Sequence, residues 1–174
     1  VVFGTVSPSA SVDLADVALG TGGFKIIGEA VSDSAGRAVS SAGDVNGDGF
    51  DDIIVNARFN DGGGAETGAS YIVFGSATPS ATVNLSAVAS GTGGFKVTGQ
   101  NTFDYAGVSS AAAGDVDGDG FDDLIIGAFQ NDEGGSNAGA GYVLYGFDIT
   151  GAVTHLGTAG DDFLEAELFQ DNVL

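Results

Sequence analysis

Ala42-Gly43-Asp44-Val45-Asn46-Gly47-Asp48-Gly49-Phe50-Asp51-Asp52 returns as Ala113-Gly114-Asp115-Val116-Asp117-Gly118-Asp119-Gly120-Phe121-Asp122-Asp123, 71 residues later. The offset is general. Gly20-Thr21-Gly22-Gly23-Phe24-Lys25 recurs as Gly91-Thr92-Gly93-Gly94-Phe95-Lys96. Val2-Phe3-Gly4 recurs at Val73-Phe74-Gly75 and, more loosely, at Leu144-Tyr145-Gly146. A fixed period without insertions means that one supersecondary unit is used repeatedly.

Each acidic loop runs into a continuous apolar stretch, Ile53-Ile54-Val55 or Leu124-Ile125-Ile126. Such runs are expected of strands buried on both faces. Tyr71 to Phe74 reads the same way, and Phe24 to Ile27 is a short strand between glycines. No segment sustains a 3.6-residue period; Val12 to Leu19 offers one helical turn at most. The expectation is an all-β chain with about four strands per 71-residue unit, the pattern of a β-propeller blade. Units are expected at 1–71 and at 72–146, the second with a closing strand, followed by a C-terminal extension at 147–174. The chain opens on the Val-Phe-Gly element that ends a unit, so a longer array is expected.

The composition is lopsided: 24 acidic against 4 basic side chains, net −20, with 31 Gly, one His and no Cys, Met or Trp. Nucleic acid and anionic membrane surfaces are excluded as partners by charge repulsion. Thiol chemistry and disulfides are excluded by composition. No run of about 20 apolar residues is present to cross a bilayer, and residues 1–4 carry no signal-peptide pattern. Twelve Phe, four Tyr and only two Pro argue for a folded chain in spite of the charge. A cationic component is expected.

The loops supply the place for it. Asp44, Asn46, Asp48 and Asp52 stand at positions 1, 3, 5 and 9; Asp115, Asp117, Asp119 and Asp123 repeat them. Alternate short oxygen-bearing side chains on a turning backbone converge on one point, and a hard cation satisfies them. The backbone carbonyl at position 7, Phe50 or Phe121, adds an oxygen, and Gly47, Gly49, Gly118 and Gly120 permit the turn. Calcium is favoured over magnesium, which keeps more of its water. A lone loop of this kind reads equally well as an exposed turn, but two in register do not. An EF-hand is excluded, because position 12 is Val55 or Ile126 inside an apolar run rather than a bidentate Glu.

The unit resembles the FG-GAP repeat of integrin-α-type β-propellers, in the version common in bacterial surface proteins. Phe3-Gly4 and Phe74-Gly75 match the FG element; Gly127-Ala128-Phe129 and, less closely, Asn56-Ala57-Arg58 stand at the GAP position. The resemblance covers roughly residues 1–146. It implies calcium ligation by Asp44, Asn46, Asp48, Phe50 and Asp52, and by Asp115, Asp117, Asp119, Phe121 and Asp123, giving two Ca²⁺ sites. Gly157 to Leu164 resembles the start of an RTX-type calcium-binding turn, in which Asp161 or Asp162 would be a ligand only if further turns stack on it.

Catalysis has little to work with. His155 reads as a surface or strand-edge residue, and no nucleophile elbow is present. Glu29, Glu66, Glu133, Glu165 and Glu167 are expected to form no repeated constellation. Gly62 to Gly64 and Gly134-Gly135 read as loop glycines, Lys25 and Lys96 as structural ion-pair formers, and Arg37 and Arg58 lack counterparts in the second copy. The chain is therefore expected to be a non-enzymatic, calcium-rigidified structural or adhesive module, extracellular or at a cell surface. The alternative is the propeller portion of a secreted hydrolase. Two blades cannot close a ring, so the sheet edges are expected to meet further repeats, other copies in an oligomer, or an open stack. A surface protein or glycan is the expected ligand class.

Overall fold

The computed structural model describes residues 1–5 and 11–148. His155 and the RTX-like stretch lie outside them. The described chain runs α1 (Leu14–Ala18), β1 (Lys25–Ile27), β2 (Val39–Gly43), β3 (Asp52–Ala57), β4 (Ala69–Val73), β5 (Thr82–Asn84), α2 (Leu85–Ala89), β6 (Gly94–Thr98), β7 (Ser109–Gly114), β8 (Asp123–Ala128) and β9 (Ala140–Leu144). It is all-β in architecture, with two five-residue helices at the same place in each unit. Asp13 caps the first by accepting from the Ala15 amide at 2.8 Å.

One antiparallel sheet has the order β2-β3-β4-β6, another the order β7-β8-β9. The sheet is out of phase with the sequence period. The fourth strand of the first sheet, β6, comes from the next unit and pairs Val73 with Gly94. An isolated bridge from Val2 to Gly23 is the same pairing one unit earlier. The rings follow suit: Phe3–Phe24 and Phe74–Phe95 both lie 5.9 Å apart between centroids. A parallel pair, β1 with β5, ties the edge of one unit to the connection of the next.

The backbone repeats as closely as the sequence. The six non-glycine residues with positive φ fall into three pairs, Ser32/Phe103, Ser34/Tyr105 and Glu66/Asn137, all 71 residues apart. Side chains as different as Ser and Phe hold the same left-handed conformation, so the surrounding fold dictates it.

Two cores result. Val55, Ala57, Ala69, Tyr71 and Val73 pack one face of the first sheet against Leu85 and Val88 of α2. Ala42, Val45, Ile54 and Ile72 on the other face pack against Leu124 of the second sheet, with Phe74, Phe95 and Leu144 around them. This second core is an interface between units.

The expectation of strands buried on both faces holds for β3 and β4 but not for β8. Ile54 and Ile72 are fully buried, whereas their counterparts Ile125 and Val143 are 42% and 47% exposed. The second sheet covers the first; among the described residues nothing covers the second in turn. The sheets do not close on themselves.

Candidate metal centres

Each acidic loop leaves the first strand of its sheet, β2 or β7, through a bulge and enters the next strand at position 9. Gly43 pairs with Asp52, and Gly114 with Asp123, each after a register shift. Gly43 and Gly114 have φ of +73° and +71°, which a bulge of this kind asks of glycine. No helix flanks either loop, as the exclusion of an EF-hand requires.

Inside the first loop the short side chains bond to the loop's own backbone. Asp44 accepts from the Asp48 and Gly49 amides at 3.1 and 2.9 Å. Asn46 Oδ1 accepts from the same Asp48 amide at 2.9 Å, so Asp44 and Asn46 present oxygens to one point. Asn46 Nδ2 donates to Asp48 Oδ2 at 3.2 Å, and Asp48 Oδ1 accepts from the Phe50 amide at 2.9 Å. The second loop is similar with one bond moved: Asp115 accepts from Gly118, the counterpart of Gly47, at 2.7 Å and from Gly120 at 3.1 Å, Asp117 from Asp119 at 3.2 Å, and Asp119 from Phe121 at 2.9 Å. Carboxylate oxygens of Asp115, Asp117 and Asp123 all lie within 4.8 Å of one another.

The position-9 residue does something different. Asp52 accepts from Val45 across the loop at 3.1 Å and from Gly75 at 2.8 Å; Asp123 accepts from Val116 at 2.6 Å and Gly146 at 2.9 Å. It ties the loop to the glycine that ends the following strand. That accounts for the glycine of the Phe-Gly element. A Cβ on Gly75 would stand 2.6 Å from Phe50 Cβ and from the Asp51 carbonyl; on Gly146, 2.6 Å from Phe121 Cβ and 2.7 Å from the Asp122 carbonyl.

Electrostatically the loop carboxylates oppose one another's ionisation. Burial pushes the Asp52 carboxyl up to about 6; the amides of Gly75 and Val45 oppose this, and Asp48 and Asp44 add to it. Burial also raises Asp119, with Asp117, Asp123 and Asp115 adding repulsion against the Phe121 amide. A hard divalent ion would reverse both effects by favouring the ionised forms. The donor set is all oxygen, with no thiol or imidazole among the described residues, which fits such an ion.

The two loops also touch. The Asp122 carboxylate accepts from the Asp44 amide at 3.0 Å, the Asp122 amide donates to the Asp44 carbonyl at 3.2 Å, and the Phe147 amide to the Val45 carbonyl at 2.8 Å. The Phe121 ring lies over Gly47. The first loop is thereby covered at Val45, 1% exposed, and at Asn46, fully buried, while Gly47, Gly49 and Phe50 stay exposed. Val116 in the second is 59% exposed.

A second repeated constellation, of Asp, Asn and Tyr rather than of glutamates, went unread in the sequence. Asn60 Nδ2 donates to the buried Asp33 carboxylate at 2.6 Å and to the Tyr71 hydroxyl at 3.2 Å. Tyr71 donates to Glu29, which Lys96 pairs with at 2.7 Å. One unit on, Asn131 bonds Asp104 and Tyr142 at 2.8 and 3.3 Å. Tyr142 donates to Gln100 at 2.6 Å, and Gln100 to Glu133 at 2.5 Å. The 71-residue offset of Asp33/Asp104, Asn60/Asn131 and Tyr71/Tyr142 was the available signal. The Lys96 pair agrees with the structural role expected of it.

Residues 35–73 and 107–144 each match the FG-GAP repeat family. A 97-residue stretch, 56% of this chain, is 36% identical to integrin alpha-5 of Xenopus laevis, and it spans 9% of that protein's length. Two stretches of the chain are thus similar to the FG-GAP repeat, and part of it to a segment of an integrin α chain. The chain's sheets are blades of the β-propeller class.

Proposed function

We propose that the chain is a calcium-rigidified propeller module of an extracellular or cell-surface protein, with a structural or adhesive role rather than a catalytic one. One observation carries the reading: two D-x-[DN]-x-D-G-x-x-D loops in the same register, each tied through its last aspartate to the end of the strand beyond. Asp44, Asn46, Asp48 and Asp52 would hold one ion and Asp115, Asp117, Asp119 and Asp123 the other, with the Phe50 and Phe121 carbonyls. The ion, when bound, supplies the positive charge that offsets the clustered carboxylates.

The chain's residues do the rest. Asp52 and Asp123 carry the constraint from loop to strand end, and Asp122 carries it to the neighbouring loop. An unfolded loop holds an ion poorly, so binding free energy becomes folding free energy. Such a module is loose where calcium is scarce and rigid where it is abundant. The uncovered face of the second sheet supports the reading that further repeats or other copies complete the array. A protein or glycan is the ligand class proposed for the completed surface.

No helix among the described residues is long and apolar enough to cross a membrane. Thermal melting with and without excess chelator tests the proposal. A large drop in Tm on chelation is expected, and an unchanged melt would remove its basis.

A further inference from the structure

The first unit departs from the repeat at two places that come together in space. Arg37 and Arg58 are replaced one period later by Val108 and Phe129. Both arginines line one cavity of about 110 Å³ at the junction of the two sheets, with Ala38, Asn56, Gly107 and Val108. The chain has only four cationic side chains, and half of them meet at this point.

Neither guanidinium has a carboxylate within ion-pair distance among the described residues; the one ion pair there is Lys96 with Glu29. Arg58 Nε is buried and lacks a hydrogen-bond partner. Its guanidinium carbon lies 4.2 Å from the centroid of the Phe59 ring, and that face eases the charge but accepts nothing in the guanidinium plane. Asn56, also in the lining, is bonded elsewhere. Its Oδ1 accepts from Ser70 at 2.6 Å and its Nδ2 donates to Ser110 at 2.7 Å. A buried guanidinium N–H without an acceptor is costly, and in a chain of net −20 with 24 carboxylates the lack of a partner is not a shortage of anions.

We propose that Arg37 and Arg58 form a binding site for a single carboxylate group, seated in this cavity with one oxygen on Arg58 Nε–H. A planar carboxylate matches the guanidinium fork, and the cavity has room for one such group. The carboxylate comes either from a small free acid or from an acidic side chain of a second copy. The site is separate from the acidic loops, since it sits at the openings of β2 and β7 and each loop follows the far end of one of those strands.

The chain contains two arginines, so ¹⁵N-arginine labelling gives two Nε–H signals, and Arg37→Gln assigns the remaining one. Titration of the full chain with sodium acetate, against sodium chloride at matched ionic strength, reads the site directly. A saturable shift of the Arg58 Nε–H with acetate alone is expected. Arg37→Gln, at an exposed position, is expected to weaken it about tenfold or more. A shift that grows with protein concentration without acetate, and that acetate displaces, identifies a second copy as the source. An Arg58 signal that ignores both acetate and protein concentration, or moves equally with chloride, overturns the proposal.

Discussion

The Gly75 amide donates to the Asp52 carboxylate at 2.8 Å, closing a link between the end of an acidic loop and the end of the strand two elements on. Seventy-one residues later Gly146 does the same for Asp123 at 2.9 Å. The glycine of the Phe-Gly element and the last aspartate of the loop are thus one structural device. Backbone reaches carboxylate because no side chain stands between them.

Gly75→Ala is therefore expected to destabilise the fold by about 1–3 kcal/mol, because the added methyl meets Phe50 and the Asp51 carbonyl and has nowhere to go. Gly141→Ala is the control. It is exposed in β9, its backbone is not left-handed, and a Cβ there meets nothing within 4 Å. Chemical denaturation should show a loss for the first and little change or a small gain for the second.

The Glu29 network predicts acid sensitivity. Hydrogen bonds from Lys96 and Tyr71 hold Glu29 below its ordinary 4.5, against a smaller opposing effect of burial. A depressed folded-state pKa stabilises above the unfolded value, and that stabilisation is lost as pH falls from 4.5 through the folded value. Glu29→Gln, which imitates Gln100 of the second unit, is expected to flatten the stability profile below pH 4.5. Melting across an acid series with both proteins checks it; parallel curves would count against the network's role.

Asn46 is sealed beneath the next blade while Asp117 is exposed, so the two loops should not release an ion alike. The first is covered at Val45 and Asn46; the second has one more carboxylate but is open among the described residues. Cover slows release, so two release phases roughly tenfold or more apart are expected in chelator stopped-flow. Asp117→Asn should alter only the faster phase.

The acidic loops, the strands and the 71-residue period were legible because each rests on local pattern: short carboxylates at alternate positions, apolar runs and punctuating glycines. What escaped was carried by contacts between distant segments. Asp122 read as one more loop aspartate, yet it holds the neighbouring loop through the Asp44 backbone. Asp33, Asn60 and Tyr71 lie in separate stretches, and the change from Glu29 to Gln100 hid the repetition of their network. Leu85–Ala89 went unread because five residues are too few to display a helical period. The exposure of Ile125 and Val143 is a matter of what lies beside the sheet, which apolar composition alone does not report.

Calorimetric titration of the metal-free chain with calcium tests the central claim most directly. Two ions per chain are expected, with magnesium much weaker, and one ion for Asp115→Ala/Asp117→Ala with the first loop intact. An absence of saturable calcium binding, or a stoichiometry unchanged in that double variant while its strand content stays native, would contradict the account.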